Sequence, residues 1–81
     1  MLRDPALQRA CAATIKEERI RQGLSRRALS KKLNQFDNFI RDIENGNHAV
    51  KFDEFVLISE ALGMAPSRLM VRAIRKARGK G

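Results

Sequence analysis

Residues 29–43, LSKKLNQFDNFIRDI, contain two apolar patterns at helical spacing, one on each side of Asn34. Side chains three and four residues apart share a helix face, so the patterns predict two short helices. The inward positions are Leu29 and Leu33 in the first helix and Phe36, Ile40 and Ile43 in the second. The short interval between them leaves room only for a tight turn, and helices joined in this way cross steeply.

Two residues suit this junction. Ser30 supplies a small side chain where the helices nearly touch, and Asn34 tolerates the left-handed backbone conformation that the turn requires. Such a unit can present its second helix to a DNA major groove. The alternative is an αα-hairpin within an ordinary helical bundle.

Cap and turn residues predict three further helices around this pair. Asp4 followed by Pro5 is typical of a helix start and Ser25 of an N-cap, while glycines are typical of helix ends. The expected helices run from Pro5 to Gly23, from Ser25 to Leu33, from about Phe36 to Asn45, from Phe52 to Gly63, and from Pro66 onward. On the first helix, an apolar face is formed by Leu7, Cys11 and Ile15, extended by Glu18 and Ile20. We therefore expect an all-α fold of five helices.

Length and composition favour one small domain spanning residues 1–81, with a core of about 5–78 and a frayed tail at 79–81. The lone cysteine, Cys11, allows no internal disulfide and is expected in the core; with His48 as the only histidine, no zinc site can form. These residues and scattered carboxylates supply no nucleophile–base pair, so we expect no enzyme activity, metal or cofactor. No apolar run approaches about eighteen residues and no signal-peptide pattern is present, which favours a cytoplasmic protein without a membrane partner.

Charge is unevenly distributed along the chain. Seventeen Lys and Arg against nine Asp and Glu give a net charge of +8, which favours a polyanionic partner. Residues 34–60 hold two basic and six acidic side chains, whereas the segments before and after them are strongly basic. This distribution suits a protein that grips phosphates at its edges, and it differs from the continuous basic stripe of a nonspecific binder.

Together these features resemble the phage repressor and Cro (XRE-type) helix-turn-helix DNA-binding domains. The resemblance covers about residues 12–70 and rests on Gly23-Leu24-Ser25, the Leu29-to-Ile43 spacing, Ile43-Glu44-Asn45-Gly46 and Ala61-Leu62-Gly63. It implies a compact five-helix lambda-repressor-like fold whose third helix reads the major groove, in a homodimer on a palindromic operator. It also implies a structural ion pair between Arg19 and Glu44.

The chain departs from the family pattern in the turn and on the third helix. Phe36 stands where a Ser, Thr or Pro cap is usual, and Lys51 stands where Asp commonly caps the fourth helix. Asp37 and Asp42 occupy positions where Gln, Ser, Lys or Arg are more usual. These acidic side chains favour an alternative function, a protein-interaction module that has kept the fold without specific operator reading.

The expected base-reading residues lie in the turn and on the outward face of the third helix: Gln35, Asp37, Asn38, Arg41 and Asp42. Arg41 can make a bidentate contact to guanine and Asn38 to adenine, and an Asp can accept from a cytosine amino group. Arg41 has an alternative partner in Asp37, four residues before it. Asp42 is expected to orient neighbouring groups. Phe39 is expected at the rim of the core, with contact to a thymine methyl group as the alternative.

Phosphate contacts are expected from the start of the second helix and from the connection after the third: Ser25, Arg26, Arg27, Asn45, Asn47, His48 and Lys51. The N–H groups beside Ser25 attract anions. Arg27 has a solvated helix face as its alternative. His48 is expected to be a neutral polar contact, because nothing near it in the sequence would make it a base or a ligand.

We therefore predict a sequence-specific regulator of transcription that binds double-stranded DNA, bacterial or phage-encoded and associated with the nucleoid. Repression is favoured over activation because occluding a promoter needs only binding, and no small-molecule ligand is expected. A homodimer is expected through the fifth helix and neighbouring parts of the fourth. The apolar side chains of the fifth helix exceed what a small core needs: Leu69, Met70, Ala73 and Ile74.

Overall fold

The computed structural model describes residues 4–79, and this part of the chain contains five helices and no strand. The helices are α1 (Pro5–Arg21), α2 (Arg26–Lys32), α3 (Phe39–Glu44), α4 (Phe52–Ala61) and α5 (Pro66–Ala77). The predicted all-α, five-helix fold is confirmed. Within the described range, no helix combines the length and the hydropathy that crossing a membrane requires. Of the tail at 79–81, only Gly79 is among the described residues.

Helix α1 begins where the sequence indicates and ends just before Gly23. The Asp4 carboxylate accepts a hydrogen bond from the Leu7 N–H at 3.1 Å, and Pro5 lies in the first turn, where its missing N–H costs nothing. Gly23 follows the helix with a φ of +72°, a left-handed conformation that a residue without a Cβ adopts without strain.

The core is built by all five helices, with α1 packed along α5 and against α3. Its buried apolar side chains are Ala10, Cys11, Ile15, Leu29, Phe39, Ile40, Ile43, Phe55, Ile58, Leu62, Leu69 and Ala73. The prediction that Cys11 is a core residue is confirmed. Burial raises the pKa of its thiol, so the thiolate is disfavoured.

The α2–α3 junction is held by Ser30, whose side chain is fully buried. Its hydroxyl donates to the Arg26 carbonyl at 2.9 Å and accepts from the Ile40 N–H at 3.1 Å. One small polar residue thus permits the close approach of the helices and satisfies an N–H in the first turn of α3. Asn34 has a φ of +56°, the left-handed conformation predicted for the turn.

Helix α3 is shorter than the predicted span, and the burial of Phe36 and Phe39 is the reverse of the prediction. Phe36 lies in the turn before the helix and is 60% exposed, whereas Phe39, expected at the rim, is 4% exposed. The inward placement of Phe36 is wrong because the helix begins at Phe39, which breaks the register that would align Phe36 with Ile40. The inward residues of α3 are therefore Phe39, Ile40 and Ile43.

A charged cluster around the buried Glu18 carboxylate joins the end of α1 to α5. The Glu18 carboxylate, 2% exposed, accepts hydrogen bonds from Arg21, from Gln22 at 2.9 Å and from Arg72 at 2.9 Å. Ile20, expected on the same inward face, is 56% exposed. Residues that are two positions apart in a helix point in directions about 200° apart, so Glu18 and Ile20 cannot share the buried face.

This cluster predicts an acid-dependent loss of stability. Hydrogen bonding from Arg21 is the main cause that lowers the pKa of Glu18 from 4.5 to about 2; Gln22 and Arg72 add to it, and burial opposes it. A carboxyl group whose pKa is lowered by folding stabilises the fold above pH 4.5 and loses that contribution as the pH falls towards 2. Acid unfolding followed by circular dichroism should therefore show a steeper decline over this range in the wild type than in Glu18→Gln.

The control for this experiment is Glu17→Gln, at the neighbouring exposed carboxylate that pairs with Lys76. It should keep the steep acid profile of the wild type, because exposed pairs contribute little to stability. Parallel profiles for the wild type and Glu18→Gln would contradict the prediction.

Helix α5 uses much of its apolar surface within the single chain. Leu69 and Ala73, expected at a dimer seam, are fully buried, and Met70 packs against the core. These three residues therefore do not support the predicted dimer seam, because they already pack in the core of a single chain. The large exposed apolar side chains of α5 are Val71, at 47%, and Ile74, at 41%.

Candidate nucleic-acid interface

The turn before α3 and the outward side of α3 bring the five predicted base-reading residues together. This region, which we call the outer α3 surface, consists of Gln35, Asp37, Asn38, Arg41 and Asp42. All are exposed except Asp42, which is partly buried. Asn38 is the N-terminal flanking residue of α3, and its side chain makes no capping hydrogen bond, so the amide is free to contact another group.

Both acidic side chains of the outer α3 surface face an arginine. Asp42 Oδ1 accepts from Arg41 at 3.3 Å, and Asp37 Oδ2 lies 3.2 Å from Nε of Arg27. The alternative pairing of Arg41 with Asp37 is absent from these contacts, because Asp37 precedes the helix and lies outside its four-residue register. Solvent-exposed pairs of this kind are weak, so the arginines can exchange their partners for other anions.

Helix α2 begins with the arrangement of an N-cap. The Ser25 hydroxyl accepts from the Ala28 N–H at 3.0 Å. The N–H groups of Arg26 and Arg27 precede the first intrahelical hydrogen bond and have no partner within the helix. Positive partial charge and the exposed Arg26 side chain therefore coincide at this point.

In the connection from α3 to α4, side chains are more available for contact with a partner than the backbone N–H groups of Asn47 and His48. The N–H groups of Asn47 and His48 both donate to the Asp42 carbonyl, at 2.8 and 3.1 Å. These two amides are therefore already satisfied. The exposed polar side chains of this connection are those of Asn45, Asn47 and Lys51.

His48 is engaged within the protein. Its Nε2 lies 2.9 and 3.1 Å from the two carboxylate oxygens of Glu54, and its ring centroid lies 5.4 Å from that of Phe39. This contact with Glu54 is not anticipated by the sequence pattern, and it forms because the connection folds back onto the first turn of α4. Glu54 also accepts a hydrogen bond from the Lys51 N–H at 2.9 Å. This bond stabilises the start of α4, where the Lys51 side chain cannot act as a cap because an ammonium group accepts no hydrogen bond. The negative charge of Glu54 makes the His48 ring a poorer phosphate contact than the exposed asparagines.

A buried ion pair sets the position of α3. Nε and Nη2 of Arg19 donate to the two carboxylate oxygens of Glu44 at 2.7 and 3.1 Å, and Nη1 donates to the Leu24 carbonyl at 2.8 Å. The Arg19 and Glu44 side chains are 11% and 3% exposed. The pair implied by the family resemblance is thus present, and it ties α1 to the last residue of α3.

Two further basic residues lie beside the α3–α4 connection, and their position there is hard to recognise from the sequence. Arg9 and Lys16 lie seven residues apart on the exposed side of α1, with small alanines between them. They line an open groove of about 750 Å³ whose other wall includes Asn45 and Asn47. Their shared helix face is visible in the sequence, but nothing local indicates that the α3–α4 connection lies opposite.

Comparison with known proteins agrees with this geometry. A helix-turn-helix family model matches residues 15–69, which include the α2–α3 unit and the Arg19–Glu44 pair. A search of curated proteins found no match.

Three solved structures share the fold. One structure of the clp gene regulator ClgR from Corynebacterium glutamicum has a TM-score of 0.82 at 19% identity, covering 91% of this chain and 79% of that chain. A second ClgR structure has a TM-score of 0.77 at 20% identity, with coverages of 84% and 88%. The hypothetical transcription factor NHTF from Neisseria has a TM-score of 0.74 at 20% identity, with coverages of 86% and 82%. With the family match spanning more than half of its length, the chain belongs to the XRE-type helix-turn-helix family of DNA-binding proteins.

Proposed function

We propose that this protein is a sequence-specific regulator of transcription that binds double-stranded DNA and reads the major groove with α3. The observation that supports this best is the exposure of Asn38, which precedes α3, and of Arg41 on α3. The buried Ser30 and the Arg19–Glu44 pair hold this helix in place. Amide and guanidinium groups make the bidentate contacts that distinguish adenine and guanine. Repression is the simpler action, since occupying a promoter requires only binding.

The five residues of the outer α3 surface have distinct proposed roles. Arg41 contacts guanine, and Asp42, 3.3 Å away, orients it. Asn38 contacts adenine, and Gln35 reaches a base edge from the turn. Asp37 accepts from a cytosine amino group once Arg27 turns to a phosphate.

Phosphate contacts flank this surface in the proposal. The direct contacts are Ser25 and Arg26 at the start of α2 and Asn45, Asn47 and Lys51 after α3. Arg27 is shared between Asp37 and the phosphates, and His48 acts by holding the connection against Glu54. Backbone contacts of this kind position the protein, while base contacts specify the sequence.

The test of the proposed function is selection of bound duplexes from a random pool, followed by sequencing. A specific regulator should enrich a palindromic consensus, with half-sites about one helical turn, roughly 34 Å, apart. Retention of DNA without enrichment of any sequence would contradict specific reading and favour the alternative, a protein-interaction module with the same fold. Loss of repression from a promoter carrying the consensus when the gene is removed would establish the direction of regulation.

A homodimer completes this proposal, because one reading helix covers too few base pairs for high specificity. We place its seam at Val71 and Ile74, three residues apart on α5 and both exposed. Sedimentation velocity should show a dimer on the operator for the wild type, and Val71→Lys combined with Ile74→Lys should dissociate it. Ile20→Lys, at an exposed isoleucine of α1, is the matched control and should stay dimeric. A wild-type monomer at micromolar concentration, both free and on DNA, would refute the dimer.

A further inference from the structure

The fold gives no role to one aromatic side chain of the turn before α3. Phe36 lies between Gln35 and Asp37 of the outer α3 surface, and 60% of its surface is exposed. It is outside the core, and a phenyl ring cannot accept a hydrogen bond from a helix N–H as a capping side chain does. A single exposed apolar side chain is common on protein surfaces, so its position among the proposed base-reading residues, and not its exposure alone, points to a contact with their partner.

Phe36 is held in this position from both sides. The Gln35 N–H donates to the Ser30 carbonyl at 3.0 Å, and the Phe36 carbonyl accepts from the Phe39 N–H at 3.0 Å. The rings of Phe36 and Phe39 meet edge to face, with centroids 5.9 Å apart and planes at 78°. Because Phe39 is buried, this contact holds the Phe36 ring on one side while 60% of the residue stays exposed.

The surroundings of Phe36 indicate which partner covers it. Although Asp37 and Asp42 pair with Arg27 and Arg41, basic side chains remain in excess on the α2–α3 unit. Its exposed basic residues are Arg26, Arg27, Lys31, Lys32 and Arg41, which favours a polyanion over an apolar protein surface. Among the base edges of the major groove, thymine alone presents a methyl group, which apolar side chains such as Phe contact. On the basis of the proposed reading by α3, we propose that Phe36 is a specificity-determining residue that contacts the C5-methyl group of a thymine next to the base pair contacted by Asn38.

The test replaces each thymine of the selected operator, one at a time, by deoxyuridine, which lacks only the methyl group. The wild-type protein should lose affinity about fourfold at one position, the loss expected from one buried methyl-sized group. Phe36→Ala should bind the thymine and deoxyuridine duplexes equally, and Phe36→Leu, which keeps an apolar side chain, should retain a preference for thymine. Fluorescence anisotropy titrations measure the affinity of each of the three proteins for each of the two duplexes, six combinations in all.

Phe52→Ala is the matched control, because Phe52 is 81% exposed at the start of α4 and lies outside the outer α3 surface. It should discriminate thymine from deoxyuridine as the wild type does. The assignment of Phe36 would be overturned if the wild type bound every deoxyuridine duplex as tightly as the thymine operator. It would also be overturned if Phe36→Ala kept the preference for thymine. Both outcomes would leave base reading by Arg41 intact. Failure to select any consensus would instead overturn the proposed function, and this inference with it.

Discussion

Arg19→Ala is expected to lower the free energy of unfolding by about 3–5 kcal/mol, because it leaves the Glu44 carboxylate charged and unpaired where it is 3% exposed. The substitution also removes the donor that satisfies the Leu24 carbonyl at 2.8 Å. Arg19 ties α1 both to α3 and to the residue before Ser25, so one side chain supports the position of the whole α2–α3 unit. Urea unfolding of the wild type and the variant, followed by circular dichroism, measures the difference.

Two further variants separate the ion pair from a general effect of losing an arginine. Arg26→Ala removes an exposed arginine and should leave the melting temperature almost unchanged. Arg19→Lys keeps the charge but cannot donate to both carboxylate oxygens in a planar fork, so its stability should fall between those of the wild type and Arg19→Ala. Equal melting temperatures for Arg19→Ala and Arg26→Ala would show that the pair with Glu44 does not stabilise the fold.

Local chemistry explains why the helices and the turn could be predicted from the sequence. Asp4 and Ser25 accept hydrogen bonds from N–H groups three residues later, so their role depends only on neighbours in the chain. Asn34 adopts a positive φ for an equally local reason. The apolar spacing around Ser30 then determines which sides of α2 and α3 meet, because helical periodicity places those residues on one face.

The parts that could not be predicted depend on where a helix begins or on residues distant in sequence. Phe36 and Phe39 are three residues apart, so a shift in the start of α3 decides which ring is buried, and the apolar pattern allows either start. Glu18 meets Arg72, 54 residues away, through the packing of α1 on α5. His48 meets Glu54 only because the connection after α3 turns back onto α4. No local pattern contains these contacts.

The geometry of α3 leads to a second large expected effect, on DNA binding. Arg41→Ala and Asn38→Ala should each weaken binding to the selected operator by about 1–3 kcal/mol, because each removes the partner of one base. Both side chains are exposed, so the fold should tolerate the substitutions. Competition titrations against operators changed at single base pairs should show that each variant loses its preference at one position and keeps it elsewhere.

Arg26→Ala is the control that distinguishes base contacts from phosphate contacts. Its exposed side chain at the start of α2 is proposed to contact a phosphate, so its loss should weaken binding to all duplexes alike. It should also reduce the slope of log affinity against log salt by about one unit, the release of one counterion. The variants therefore differ in pattern as well as in size: Arg41→Ala reorders the operators, and Arg26→Ala changes the salt dependence. If Arg41→Ala and Asn38→Ala leave the ranking of operators untouched, α3 does not read bases, and the acidic Asp37 and Asp42 are then better explained by a protein partner.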